Sequence, residues 1–217
     1  MDGRIFFYSA NANGEIEWIG SAMIWLLLAL SVANIMLIVL SARANHRRAI
    51  APAGAATAMR ELIAGGRVRE ASERCAREAS DLGRVLEQAL ARAPQGGEAM
   101  TKAAEQAADE LLAARLRGLE RLNLLGQVAP MIGLFGTVYG MIVAFQGIVA
   151  NGGAADPGLL AGGIGTALVT TFWGLVVAIP AMSAYAILRN RTIAFSDEAL
   201  ASSDEMIALL RPAAGGN

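Results

Sequence analysis

Four threonines, Thr137, Thr166, Thr170 and Thr171, carry hydroxyls inside long runs that hold no charged residue. At membrane depth a hydroxyl can coordinate water or a cation, or it can hydrogen-bond one helix to another. Little else in the chain offers chemistry. One histidine (His46) and one cysteine (Cys75) cannot build a Cys/His zinc site or a disulfide framework. His46 stands beside Arg47 and Arg48 at the edge of an apolar run, so it reads as a solvated or headgroup-facing side chain rather than a catalytic base. Cys75 falls in a helical segment and reads as a packing residue. No metal, no cofactor and no enzymatic activity are expected. A net charge of −1 gives no pull towards nucleic acid.

The elements that must position those threonines follow from charge and length. Of 217 residues 55% are hydrophobic and only 17% are charged, with a mean hydropathy of +0.45. Soluble domains carry roughly 25% charged residues. Residues 18–40, 124–150 and 159–188 contain no Asp, Glu, Lys or Arg. At 1.5 Å per residue each can cross a hydrocarbon core of about 30 Å. Asn151-Gly-Gly-Ala-Ala-Asp-Pro-Gly158 is a turn-forming loop, so the second and third spans form an antiparallel hairpin.

Basic residues set the expected orientation. Residues 41–123 hold 14 of the 18 Lys and Arg, and residues 189–217 hold three more. The clusters Arg43/Arg47/Arg48, Arg115/Arg117/Arg121 and Arg189/Arg191 abut the span ends, where the positive-inside rule acts most strongly. Only Arg4 lies on the other side. The expectation is therefore an outer segment 1–17, a cytoplasmic domain 41–123, an outer loop 151–158 and a cytoplasmic tail 189–217, the outer pieces being periplasmic if the membrane is a bacterial inner membrane. Trp18 and Trp25 fall towards the outer side of span one, as interface anchors. Basic residues follow span one instead of preceding it, which is a signal-anchor pattern and not a cleaved leader.

The 41–123 connection is broken at Pro52, at Gly65-Gly66 and across 93–97. Between the breaks, residues 68–92 and 98–123 show apolar spacings of three and four, which predict a helical bundle. The second of these is expected to continue into span two. The fold class is an all-α membrane protein with three transmembrane helices, the long ones extending into a cytoplasmic helical bundle.

Within span two, Gly126, Gly133, Gly140 and Gly147 recur every seven residues, nearly two helical turns, and so share one stripe. Thr137 joins that stripe. Span three offers Gly163, Ala167, Thr171, Gly174 and Ala178, with Thr166 and Thr170 beside them. Two readings stay open: close helix packing through small residues, and an ion path lined by hydroxyls. Thr137 is the centre of span two and Thr171 is near the centre of span three. Pro130 and Pro180 sit at similar depth near the cytoplasmic ends, where each frees a backbone carbonyl for water or a hydroxyl. None of the spans holds Asp, Glu, His, Lys or Arg; Asn34, Gln127 and Gln146 are their strongest polar groups. A proton path through this chain would need a partner to bring the titratable group.

Gly133-Leu-Phe-Gly-Thr-Val-Tyr-Gly140 and Gly162-Gly-Ile-Gly-Thr-Ala-Leu-Val-Thr-Thr-Phe-Trp-Gly-Leu-Val-Val-Ala-Ile-Pro-Ala181 resemble the signature stretches of the MotA/TolQ/ExbB proton channel family, closest to its ExbB and TolQ branch. The resemblance is specific over residues 126–185 and architectural before them. It implies a homo-oligomeric ring, generally a pentamer, in the bacterial inner membrane. Within the ring sit ExbD- or TolR-like single-span partners, each bringing one intramembrane aspartate, and a TonB- or TolA-like protein carries the work outward. Thr137 and Thr171 fall on the two family threonines that face that aspartate. Thr166 stands where better-known members carry a glutamate.

The resemblance implies an ion-driven motor or energising subunit, with proton or sodium as the ion. Its output divides among uptake, envelope integrity and gliding or swimming. A swimming stator of the MotA type usually has four spans, against three here. A non-conducting scaffold ring keeps the glycine seams but needs neither threonine, so threonine substitutions separate the two classes.

Overall fold

A computed structural model describes residues 18–150, 152–154 and 157–210. Segment 1–17 with Arg4, Asn151, Ala155 and Asp156 of the loop, and residues 211–217 lie outside the described residues. Among the described residues the chain is helical, without strands. Its elements are α1 (Trp18–Ala44), α2 (Arg47–Ile50), α3 (Ala53–Ala64), α4 (Val68–Arg77), α5 (Asp81–Ala91), a 3-10 turn (Ala93–Gln95), α6 (Gly97–Ala150) and α7 (Pro157–Leu210). Helices α1, α6 and α7 are each long and apolar enough to cross a membrane.

The chain divides into two compact units. One holds α1 to Val39 with Glu120–Ala186; the other holds Leu40–Leu119 and the chain from Ile187.

In the first unit α1 is apolar all round, yet it buries only one stripe: Gly20, Ser21, Met23, Ile24, Leu27 and Asn34. Leu27 packs with Ala129, Val177 and Ala178 from the other two helices. The remaining α1 surface stays exposed, including Trp18, Val32 and Met36. A soluble protein would not leave so much apolar area open, whereas lipid chains cover it without cost. The α6–α7 hairpin turns at Gly152 and Gly153, whose φ angles of 67° and 92° favour glycine. Their amides bond Val149 O and Ile148 O and so cap the end of α6. Pro157 then opens α7, a position that requires no amide donor.

The second unit has a conventional core. Ala55, Met59 and Ile63 on α3, Ala71 and Cys75 on α4, and Leu82, Val85, Leu86 and Ala89 on α5 turn inwards at spacings of three and four. Met100, Ala104 and Ala108 from α6, and Ala199, Met206 and Ile207 from α7, complete it. Each large apolar side chain buried there contributes about 2 kcal/mol. The breaks at Pro52, Gly65-Gly66 and 93–97 all appear, the second with Gly66 at φ 71° and the third with Gly96 at φ 96°.

Two boundaries differ from the sequence expectation. Residues 68–92 are two helices, not one, because Ser80 caps α5: its hydroxyl accepts the Gly83 amide at 3.3 Å. The segment after residue 188 is not a separate tail but the continuation of α7 to Leu210. Ser196, Ala199, Ser203 and Met206 give that continuation its buried face.

Arg115 ties this unit together. Its guanidinium pairs with Asp81 at the start of α5 and donates to Ala44 O at 2.7 Å and Ala49 O at 3.2 Å. Asp81 is 7% exposed, so Arg115→Ala strands a buried carboxylate and two carbonyls. We expect it to lower stability by about 3 kcal/mol. An unfolding titration of the purified protein checks this; a loss within error would show the cluster to be dispensable. Exposed pairs such as Arg60–Glu205 contribute far less.

Candidate functional site

The hairpin seam is built by backbone approaching backbone. A methyl placed on Gly133 would lie 3.0 Å from Thr170 O and 3.1 Å from Thr171 Cα. On Gly140 it would lie 2.6 Å from Gly163 O and 3.0 Å from Ala167 N, and on Gly174 2.8 Å from Ala129 O. Any side chain at these points would push the helices apart. Gly126 lies against the Met182 side chain instead, and Gly147 is half-buried. Pro130 and Pro180 lie within continuous α6 and α7; Pro130 is half-buried and Pro180 exposed.

The threonines hang on this seam. Thr171 Oγ1 crosses from α7 to donate to Gly133 O at 3.2 Å. In an α-helix that carbonyl also faces the Thr137 amide, so one oxygen joins the two residues. Thr137 Oγ1 donates to Leu134 O at 2.5 Å on its own helix. Thr170 is fully buried, its hydroxyl shared between Thr166 O and Ala167 O at 3.0 Å each. Thr166 is also buried, with its hydroxyl on Gly162 O at 3.1 Å. Thr137 and Thr171 remain only half-buried.

With their protons directed at carbonyls, Thr137 and Thr171 offer lone pairs to whatever approaches. Such oxygens suit a water, a hydronium or a bare cation and not an anion. Among the described residues no group of His, Cys, Asp and Glu could hold a metal ion.

Two contacts escaped the sequence reading. Gly136 lies outside the seven-residue stripe, yet the Thr170 side chain occupies the space a side chain there would take. Its spacing of three from Gly133 is the signal that could have marked it. Asn34 is buried in α1 and donates to Val177 O at 2.9 Å, while its own Oδ1 has no partner among the described residues. His46 is exposed, its Nδ1 donating to Arg43 O at 2.6 Å. Cys75 is buried in the second unit, and burial followed by the nearby Glu87 charge pushes its thiol up to about 11.

Residues 77–199, more than half of the chain, match the MotA/TolQ/ExbB proton channel family. The chain belongs to that family. Within the family it is similar to proteins of the ExbB branch. The biopolymer transport protein exbB1 of Vibrio cholerae is 42% identical over 80 residues, 36% of this chain and 35% of that protein. Biopolymer transport proteins ExbB of Neisseria gonorrhoeae and Neisseria meningitidis are each 47% identical over 75 residues, 35% of this chain and 34% of theirs. The match thus spans about a third of the length of these curated relatives. MotA/TolQ/ExbB is a channel family and not an enzyme family, which agrees with a multi-pass membrane protein of three apolar helices.

Proposed function

We propose that this chain is the ion-conducting ring subunit of an ExbB-like inner-membrane motor that turns proton-motive force into work on the outer membrane or envelope. Segments 41–123 and 189–217 face the cytoplasm, while segment 1–17 and the 151–158 loop face the periplasm. The chain assembles with itself in a ring, the pentamer that the family resemblance implies. ExbD- or TolR-like single-span partners each supply an intramembrane aspartate, and a TonB- or TolA-like protein receives the work.

The observation that carries this reading is the junction at Gly133. The half-buried Thr171 hydroxyl donates to Gly133 O, the carbonyl that also faces the Thr137 amide. The half-buried Thr137 hydroxyl bonds Leu134 O beside it, in spans without Asp, Glu, His, Lys or Arg. Such a seam can pass a cation only if a partner brings the charge that binds and releases it. Thr166 and Thr170 stand behind it as buried oxygens, and Thr166 replaces the glutamate of better-known members with a neutral group. The close backbone seam through Gly133, Gly140 and Gly174 holds the hydroxyls at fixed spacing.

Native mass spectrometry of the protein extracted from its own host membrane tests the assembly. The expected species is a ring of several copies retaining fewer copies of a small single-span protein with an aspartate in its span. A ring, or a monomer, without any carboxylate-bearing partner would overturn conduction and leave a scaffold.

A further inference from the structure

We infer that, granted the conducting role proposed above, Glu120, Asn123 and Gln127 form a hydrated cation mouth at the charged end of span two. Asn123 Nδ2 donates to Glu120 Oε1 at 2.6 Å, and Gln127 Nε2 donates to Asn123 Oδ1 at 2.9 Å. The three side chains form one hydrogen-bonded ladder along α6, running from a carboxylate into the charge-free run.

The ladder and the mid-span hydroxyl share a stripe. Residues 120, 123, 127, 130, 134 and 137 advance by steps of three and four, which keeps Glu120, Asn123, Gln127, Pro130, Leu134 and Thr137 on one side of the helix. Gln127 lies ten residues from Thr137, about 15 Å along the axis. Pro130 and Leu134 fill that interval, an apolar stretch between the polar mouth and the hydroxyl.

Lipid is a poor environment for this face. Glu120 and Gln127 are exposed and Asn123 is half-buried. Gln127 donates to Asn123 Oδ1 with its amide otherwise exposed, and an amide left unpaired in hydrocarbon costs several kcal/mol, so this face favours water. Glu120 makes no salt bridge among the described residues, although Arg117 and Arg121 stand close to it in sequence, and its carboxylate accepts from Asn123. An amide oxygen and a carboxylate attract a hydrated monovalent cation and align its water shell. Hydronium and sodium share that chemistry.

Two measurements on the full chain with its native partner, in inside-out vesicles, test the mouth. The first uses an impermeant thiosulfonate on single cysteine replacements; native Cys75 is silent because its thiol is buried and pushed up to about 11. Gln127→Cys is expected to label at least about tenfold faster than Val128→Cys, since only a hydrated site presents thiolate to the reagent. Equal and slow labelling overturns the proposal. The second measures cation flux under a proton gradient and then under a sodium gradient, which identifies the ion. Glu120→Gln and Gln127→Leu are expected to lower flux by about tenfold, while Glu120→Asp keeps it. Thr171→Val serves as the reference. If it leaves flux unchanged, the conducting role itself fails. If it stops flux while Glu120→Gln and Gln127→Leu conduct normally, only the mouth is lost.

Discussion

Thr171→Val is expected to give a protein that accumulates and assembles normally but carries no ion-coupled work. Valine reproduces the branched shape of threonine, so its methyl groups still fill the space beside Gly133. What disappears is the proton donated to Gly133 O. That carbonyl keeps its helical partner, the Thr137 amide, so no backbone group is stranded. Hydrogen bonds between membrane helices contribute about 0.6 kcal/mol on average, too little to dismantle the hairpin. The functional loss should be far larger, because Thr171 is the half-buried hydroxyl of α7 at mid-span. Without it the seam offers a methyl where a cation must shed part of its water. Native gels report assembly, and flux in vesicles reports work. Wild-type flux in a correctly assembled variant would count decisively against the path. Thr137→Val should act alike, since its hydroxyl bonds only to its own helix and its loss also strands nothing buried.

The sequence shows where helices enter the membrane more readily than how they touch. The spans are legible because charge is excluded from them, and no tertiary contact is needed to see that in residues 18–40 or 124–150. The seven-residue glycine spacing is legible for a similar reason: a stripe is a property of one helix. The fit of Thr170 against Gly136 is different, because it depends on the register between α6 and α7. So does the Asn34–Val177 bond, which links residues 143 positions apart. The continuation of α7 past residue 188 is hidden by composition. Its buried positions begin with Thr192, Ser196, Ala199 and Ser203, small or polar residues that resemble loop as much as helix until Met206 and Ile207 close the pattern. Ser80 breaks the 68–92 helix through a cap, a local signal present in the sequence but outweighed there by the apolar spacing.

Gly140→Val is expected to prevent the hairpin from packing, with a loss of at least about 3 kcal/mol and little accumulated protein. The atoms in its way are backbone: Gly163 O at 2.6 Å and Ala167 N at 3.0 Å from the first added carbon. Backbone cannot rotate aside as a side chain can, so α6 and α7 must separate and the Thr171–Gly133 bond must stretch with them. Gly140→Ala should show the same defect in milder form. Gly126→Ala meets the Met182 side chain, whose rotatable carbons can yield, and should fold. Gly118 and Gly165 have open space where a methyl would go. At Gly118, an exposed position inside α6, alanine should stabilise by up to about 1 kcal/mol through helix propensity alone. Thermal unfolding of the set in detergent separates two meanings of a glycine-rich helix. If glycine serves contact, the cost of substitution follows the distance to the opposing backbone, with Gly140 most sensitive and Gly118 and Gly165 least. If glycine serves flexibility along the helix, all four alanine variants, at 118, 126, 140 and 165, stiffen it alike, and the ordering vanishes.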